Sequence, residues 1–346
     1  MAHLAPNSPV ADWRCVPQGY GYGNFYNPLS NTWATVTRTT TKTARRADGT
    51  IIDVPAGYLA LEPWSLHKAG GVGYAAIIEE ARTNYLVNSH GAASTANLWN
   101  SWTISKTAAG TPTYSLVPGV YGQTALRIRY TSPAGESNKA ITLRSPSSAA
   151  ASFAPNDTAC GSAYFINNSS GVTVSLNVVT STVADALVGY TVQTVGAQAS
   201  FARVSNVYLS AGATTDHARI DIYCSGISAG DTLDITIDAA QLEKGAFATS
   251  YIPTTTAAVT RNADVPDGPE ASSGTEVMVR GAANLAAPAA VDAITGDPIT
   301  AMTNRVVHRV CLYDDTLSAE QLAAANMTTD LLAGLDTARI TNEVTL

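Results

Sequence analysis

The stretch Val172–Val178, VTVSLNV, decides the fold: Val172, Val174, Leu176 and Val178 alternate with Thr173, Ser175 and Asn177, the two-residue period of a half-buried strand. The pattern recurs where Ala218, Ile220, Ile222 and Cys224 alternate with Arg219, Asp221 and Tyr223. It recurs again where Leu233, Ile235 and Ile237 alternate with Asp234, Thr236 and Asp238. Further strand-like runs lie at Ala125–Thr131, Ala140–Ser145, Gly161–Asn168 and Phe201–Ser210, parted by Gly, Pro, Asn and Ser clusters. Short alternating strands in this number predict two stacked antiparallel sheets, most often a jelly roll.

Working outward, residues 1–84 hold TWATVTRTTTKTARR and DGTIIDVPAGYLALEP, both strand-like, with Asp48-Gly49 as a hairpin signal. On the other side, NADVPDGPEASSG (Asn262–Gly274) reads as a linker, followed by the apolar strands EVMVRGAANL and NRVVHRVCLYD. Ser318, with Gln321 three residues on, fits a capping box and predicts a short closing helix. The chain is therefore read as all-β. A β-rich N-terminal attachment or oligomerisation extension (1–84) precedes an antiparallel jelly-roll β-sandwich (85–262), and a linker with a small C-terminal β-hairpin plus helix (263–346) follows. Neither flank shows a core of its own, so each is expected to complete its packing against the sandwich or another subunit.

Composition excludes several classes. Charged residues are 14% and apolar residues 45% of the 346, so this is no solvated disordered chain. The net charge is −7 and the 20 Lys and Arg are dispersed, which leaves no phosphate-binding stripe and argues against nucleic acid. The four cysteines (Cys15, Cys160, Cys224, Cys311) form no CxxC pair and read as buried, reduced thiols. The N-terminus lacks a signal-peptide pattern and no run of about 18 apolar residues occurs, so synthesis in a cytoplasm without membrane insertion is expected.

Motifs with catalytic overtones fail on context. Gly226-Ile227-Ser228-Ala229-Gly230 matches GxSxG, but a strand rather than a helix follows it, so a turn is expected. Gly71-Val72-Gly73-Tyr74-Ala75-Ala76 has no βαβ surroundings, and His308 with Cys311 has the wrong spacing to share a strand face. Asp221 with Asp234 or Asp238 could form the carboxylate pair of a glycosidase, yet no pattern directs them at a common groove, and no enzymatic activity is expected. A glycan-binding surface needs aromatic platforms with polar groups at their edges. Trp99, Trp102, Tyr121, Arg219, Asp221 and Tyr223 are the candidates; Tyr130 shares parity with Leu126 and Ile128 and is assigned to the core.

Two long stretches carry a resemblance. AAIIEEARTNYLVNS (Ala75–Ser89) and DAAQLEKGAFATSYIPTTTAAVTRNADV (Asp238–Val265) bracket the predicted sandwich and look like the opening and closing segments of a domain found in tailed-bacteriophage virion proteins. TWATVTRTTTKTARRADGTIIDVPAGYLALEP resembles the lead-in that precedes it, and VVHRVCLYDDTLSAEQLAA the last strand and helix of a concanavalin-like lectin domain. The resemblance implies a non-enzymatic virion component of tail-fibre, receptor-binding or capsid-decoration type, with a carbohydrate-binding-module-like jelly roll. It implies other capsid or tail proteins as partners, a homo-oligomer with a trimer favoured, and a host-surface glycan as ligand. No cofactor is required; related jelly rolls hold a structural calcium, for which Asp238 and Asn84 would supply oxygens. The alternatives are an accessory of a phage depolymerase or glycoside hydrolase, and a head-stabilising protein without glycan affinity.

Overall fold

Alternation decides which way each strand's side chains point, and a computed structural model shows the outcome. It describes residues 11–267 apart from 20–21, 28–30, 67–72, 91–98, 100, 123–124, 150–151, 183, 185 and 210–213, together with strand segments within 276–313. The first part contributes β1 (Ala11–Gly19), β2 (Tyr22–Asn27), β3 (Thr32–Trp33), β4 (Thr35–Thr37), β5 (Lys42–Arg45), β6 (Ile51–Val54), β7 (Leu59–Pro63) and β8 (Tyr74–Ile78). The middle contributes β9 (Arg82–Asn84), β10 (Thr103–Lys106), β11 (Thr113–Val117), β12 (Ala125–Thr131), β13 (Lys139–Arg144), β14 (Thr158–Asn167) and β15 (Thr173–Ser181). It continues with β16 (Leu187–Thr194), β17 (Gln198–Leu209), β18 (His217–Ile227), β19 (Thr232–Lys244) and β20 (Val259–Arg261). The last part holds β21 (Val265–Asp267), β22 (Glu276–Asn284), β23 (Ala287–Ile294), β24 (Arg305–Val307) and β25 (Arg309–Tyr313). Among the described residues no helix is long and apolar enough to cross a membrane.

Contacts divide the chain into two units, one formed by Arg82–Arg261 and one built from both flanks. The first is an antiparallel sandwich of two five-stranded sheets, ordered β10-β13-β18-β15-β16 and β11-β12-β19-β14-β17. The apolar parity positions face each other across it: Leu176, Val178, Ile220 and Ile222 from one sheet meet Leu126, Phe165, Ile235 and Ile237 from the other, all buried. Each such side chain contributes about 1.5–3 kcal/mol on leaving water, so the alternation read from sequence is also the main source of stability. Midway along β19 two residues, Ala239 and Ala240, oppose one on β14, and Ala239 takes a left-handed φ of 47°. This bulge bends the strand before its pairing with β14 resumes at Gln241.

The flanks differ from expectation. Read as separate segments without cores, they pair with each other: β1 pairs with both β2 and β25, β2 with β7, β7 with β8, and β8 with β24, every pair antiparallel. The pairing of residues some three hundred positions apart cannot be seen in local alternation. The Asp48-Gly49 signal does form a turn, joining β5 to β6 with Gly49 at φ 85°. The predicted helix at Ser318–Gln321, together with His308, Gly71 and Val72, lies outside the described residues.

The resembled motifs meet in this second unit as a buried ion cluster. Lys42 Nζ is 2.8 Å from Glu79 Oε2 and 2.5 Å from Asp264 Oδ2, while Arg38 Nε is 3.2 Å from Asp264 Oδ1, and none of the four side chains is exposed. Lys42 also donates to the carbonyl of Ile77, and Arg38 to those of Pro55 and Tyr58. Two cations face two carboxylates, and backbone carbonyls take further donors of both Lys42 and Arg38, which lowers the cost of keeping charge out of water.

Candidate functional site

β18 runs down the centre of its sheet, so its polar parity positions project from the middle of a sheet face. Cross-strand register arranges them in rows. Tyr223 stands between Thr142 of β13 and Ser175 of β15, and Asp221 between Arg144 and Asn177. Arg219 lies opposite Val179, which in turn faces Tyr190 on β16; Val192 lies beside Asn177. The face is thus polar at its centre, with Tyr223 38% and Tyr190 54% exposed on either side.

Charge is concentrated on one oxygen. Arg219 Nε lies 3.1 Å and Arg144 Nε 3.5 Å from Asp221 Oδ1. Beside them Asn177 is only 8% exposed, and its Oδ1 is buried with no hydrogen-bond partner. A buried acceptor left unsatisfied costs about 1–3 kcal/mol, which a donor supplied by solvent or by a ligand would recover.

Part of the opposite sheet is covered by the chain itself. Gln241 Oε1 accepts the N–H of Ile252 at 2.6 Å and Glu243 accepts that of Thr249 at 2.9 Å, laying the extended segment through Tyr251, Ile252 and Pro253 along that side. Gln241, Glu243, Tyr251 and Ile252 are all buried. Farther along, Asp234 is held in a two-point contact by Arg127 at 2.8 and 2.6 Å, which lowers its carboxyl below the usual range.

Of the six residues expected to bind glycan, the structure brings together Arg219, Asp221 and Tyr223. Trp99 and Trp102 correct the expectation: they are 0% and 3% exposed, stack edge to face at 5.1 Å, and Trp102 donates its indole N–H to Asn88 O, so both are core residues. Tyr121 lies elsewhere, its ring 5.1 Å from that of His90 and 5.3 Å from that of Tyr251. Arg144, Asn177 and Tyr190 escaped the sequence reading. Each occupies an outward parity position, but only the register across three strands shows that they share a face with Asp221.

The calcium expectation is corrected as well. Asn84 Oδ1 accepts the N–H groups of Leu86 and Leu242, and its amide donates to the carbonyls of Ile252 and Ala240. Asp238 Oδ1 accepts from Ala239 N–H and Oδ2 from Tyr121 N–H. These oxygens are committed to backbone donors and do not fit a cation needing six to eight of them. Asn84 instead ties the segment entering the sandwich to the one leaving it, and Asp238 holds the loop between β11 and β12. Burial raises the Asp238 carboxyl to about 6, against the opposing pull of the Tyr121, Ala239 and Val120 N–H groups.

Ser228 sits in the turn between β18 and β19, donating its backbone N–H to Asp231 Oδ2, and this turn carries the chain from one sheet to the other. Asp221 and Asp234 stand on different sheets and do not face each other. Cys160 and Cys224 are buried free thiols, both pushed up to about 12, with burial the main cause. The side chains of Cys15 and Cys311 lie outside the described residues.

The fold defines the class: an antiparallel jelly-roll β-sandwich carried between β-rich flanks. No protein-family profile matches the chain, and no curated protein matches it. Among solved structures it is similar to the enzymatically active domain of bacteriophage CBA120 tailspike protein 4, at 13% identity and TM-score 0.36, over 47% of this chain and 21% of that one. It is also similar to a carbohydrate-binding module of the β-sandwich superfamily described for promiscuous specificity, at 13% identity and TM-score 0.40, over 69% of this chain and 99% of that one. A family 11 carbohydrate-binding module from Clostridium thermocellum, solved with a β-1,3-1,4-mixed-linked tetrasaccharide, shows 8% identity and TM-score 0.31, over 51% of this chain and 98% of that one.

Proposed function

We propose that the outward face of the β18 sheet binds a carbohydrate, and that the chain is a non-enzymatic structural component of a tailed-phage virion that presents this face to host-surface glycans. The observation that carries the binding reading is the unpartnered Asn177 Oδ1 beside Asp221 and one row from the exposed Tyr223. A sugar supplies what this arrangement lacks, a hydroxyl donor for the amide and a C–H face for the phenol ring. The virion reading is supported by the opening and closing motifs, whose residues Glu79, Asn84, Gln241 and Asp264 occupy buried structural positions here. Assembly with other copies, a trimer being favoured, and with capsid or tail proteins belongs to the same proposal.

The test is titration of the full chain with a glycan panel. At least one glycan is expected to bind, and Tyr223→Ala is expected to weaken it about tenfold or more. A panel without a ligand, or an affinity indifferent to Tyr223 and Asn177, overturns the binding reading. Antibody labelling of intact particles tests the virion reading, which fails if the protein is absent from them.

A further inference from the structure

The buried ion cluster of the flanking unit holds an amine and a carboxyl in the arrangement of two reactants. Lys42 Nζ lies 2.5 Å from Asp264 Oδ2 and 2.8 Å from Glu79 Oε2, and it donates to the Ile77 carbonyl at 2.6 Å. Three acceptors therefore meet the three N–H bonds of one ammonium. Lys42 opens β5, whereas Asp264 stands just before β21, 222 residues further along. The side chains of Lys42, Glu79 and Asp264 are wholly buried. By contrast, Lys244 meets Asp157 at 2.7 Å with both side chains partly exposed, where water competes for each charge.

The geometry points to a covalent outcome: an amide between Lys42 Nζ and Asp264 Cγ, formed by the folded chain itself with release of one water. Held contact replaces a chance encounter of the two groups, and burial penalises both ions while excluding the water that would reverse the step. The ammonium passes one proton to Glu79, and the freed lone pair attacks Asp264 Cγ. Negative charge develops on Oδ1, which lies 3.2 Å from Nε of the Arg38 guanidinium. A second proton leaves the nitrogen, Glu79 gives back the first, and the C–Oδ2 bond breaks as that oxygen departs with both as water. The third proton stays on nitrogen as the amide N–H, already directed at the Ile77 carbonyl. One ammonium and one carboxylate are consumed together, so no oxidant or further reactant is needed and the net charge is unchanged. Glu79 ends as it began, with Arg38 as the remaining cation of the cluster. The amide closes a covalent ring that contains the whole of Arg82–Arg261, the sandwich unit.

Intact-mass spectrometry of the purified full chain tests this. The natural chain is expected to weigh one water less than its sequence, with any removal of Met1 counted. A protease digest should yield one branched peptide that joins the segments around Lys42 and Asp264. Lys42→Arg keeps the cation but has no primary amine, and should retain the full mass. Glu79→Gln, in its folded fraction, should retain it too. A natural chain of full sequence mass overturns the proposal. A missing water that maps elsewhere, such as a succinimide at Asp48-Gly49, overturns it as well. Water lost from Glu79→Gln as completely as from the natural chain overturns the role of Glu79 as proton carrier and leaves the bond standing.

Discussion

Lys42 Nζ lies 2.5 Å from Asp264 Oδ2, although 222 residues separate them in the chain and neither side chain touches solvent. Removing the ammonium would take one of the two cations from a buried cluster that holds the carboxylates of Glu79 and Asp264, leaving Arg38 beside Asp264. Lys42→Ala is therefore expected to destabilise the protein by about 3–5 kcal/mol in denaturant unfolding. A loss under about 1 kcal/mol would show that the cluster is not closed in solution.

Gly119 is a second sensitive position, for steric rather than electrostatic reasons. A Cβ there would stand 2.1 Å from Asp238 Oδ2 and 2.8 Å from the Cβ of Ala125. Gly119→Ala should cost about 1–3 kcal/mol. Combined with Asp238→Ala, which removes the obstructing carboxylate, the two changes should fall short of additivity by more than about 0.5 kcal/mol. Strict additivity would mean that the two residues do not meet.

Asp238 itself predicts a pH dependence. Its folded value of about 6 stands above the ordinary 3.8, so the folded protein keeps this proton where the unfolded chain releases it. The associated stability is fully present below about pH 4 and is lost as the pH rises through about 6. Asn at this position does not titrate. The stability advantage of the natural protein over Asp238→Asn should therefore shrink by about 2 kcal/mol between pH 4 and pH 8. Chemical unfolding at both pH values measures it, and a difference that does not change with pH would rule out titration at this site.

How much of this was legible beforehand depends on the range of the interaction. The alternation around Leu176, Ile220 and Ile235 was sufficient to place strands and to separate core from surface, because a two-residue period is local chemistry. Arg219, Asp221 and Tyr223 were recognised for the same reason. Asn177 carries the identical local signal, yet its importance lies in standing opposite Asp221, a property of register across 44 positions of sequence. Trp99 and Trp102 misled because residue type was taken as a sign of exposure where no alternation supplied parity. Asn84 and Asp238 looked like oxygen donors for a cation. Only the folded backbone shows the four amide N–H groups that already occupy their oxygens.

The short ladder that joins β9 to β20 pairs Asn84 with Val259 and Arg82 with Arg261, so the sandwich begins and finishes at one spot. Segments whose two ends lie side by side are the ones that chains accept as inserts and exchange whole. Splicing between Ala81 and Asn262 would thus exchange the whole sandwich in a single genetic event. The residues that pair the flanks would be left unaltered, so one domain could be replaced by transplantation rather than by stepwise mutation.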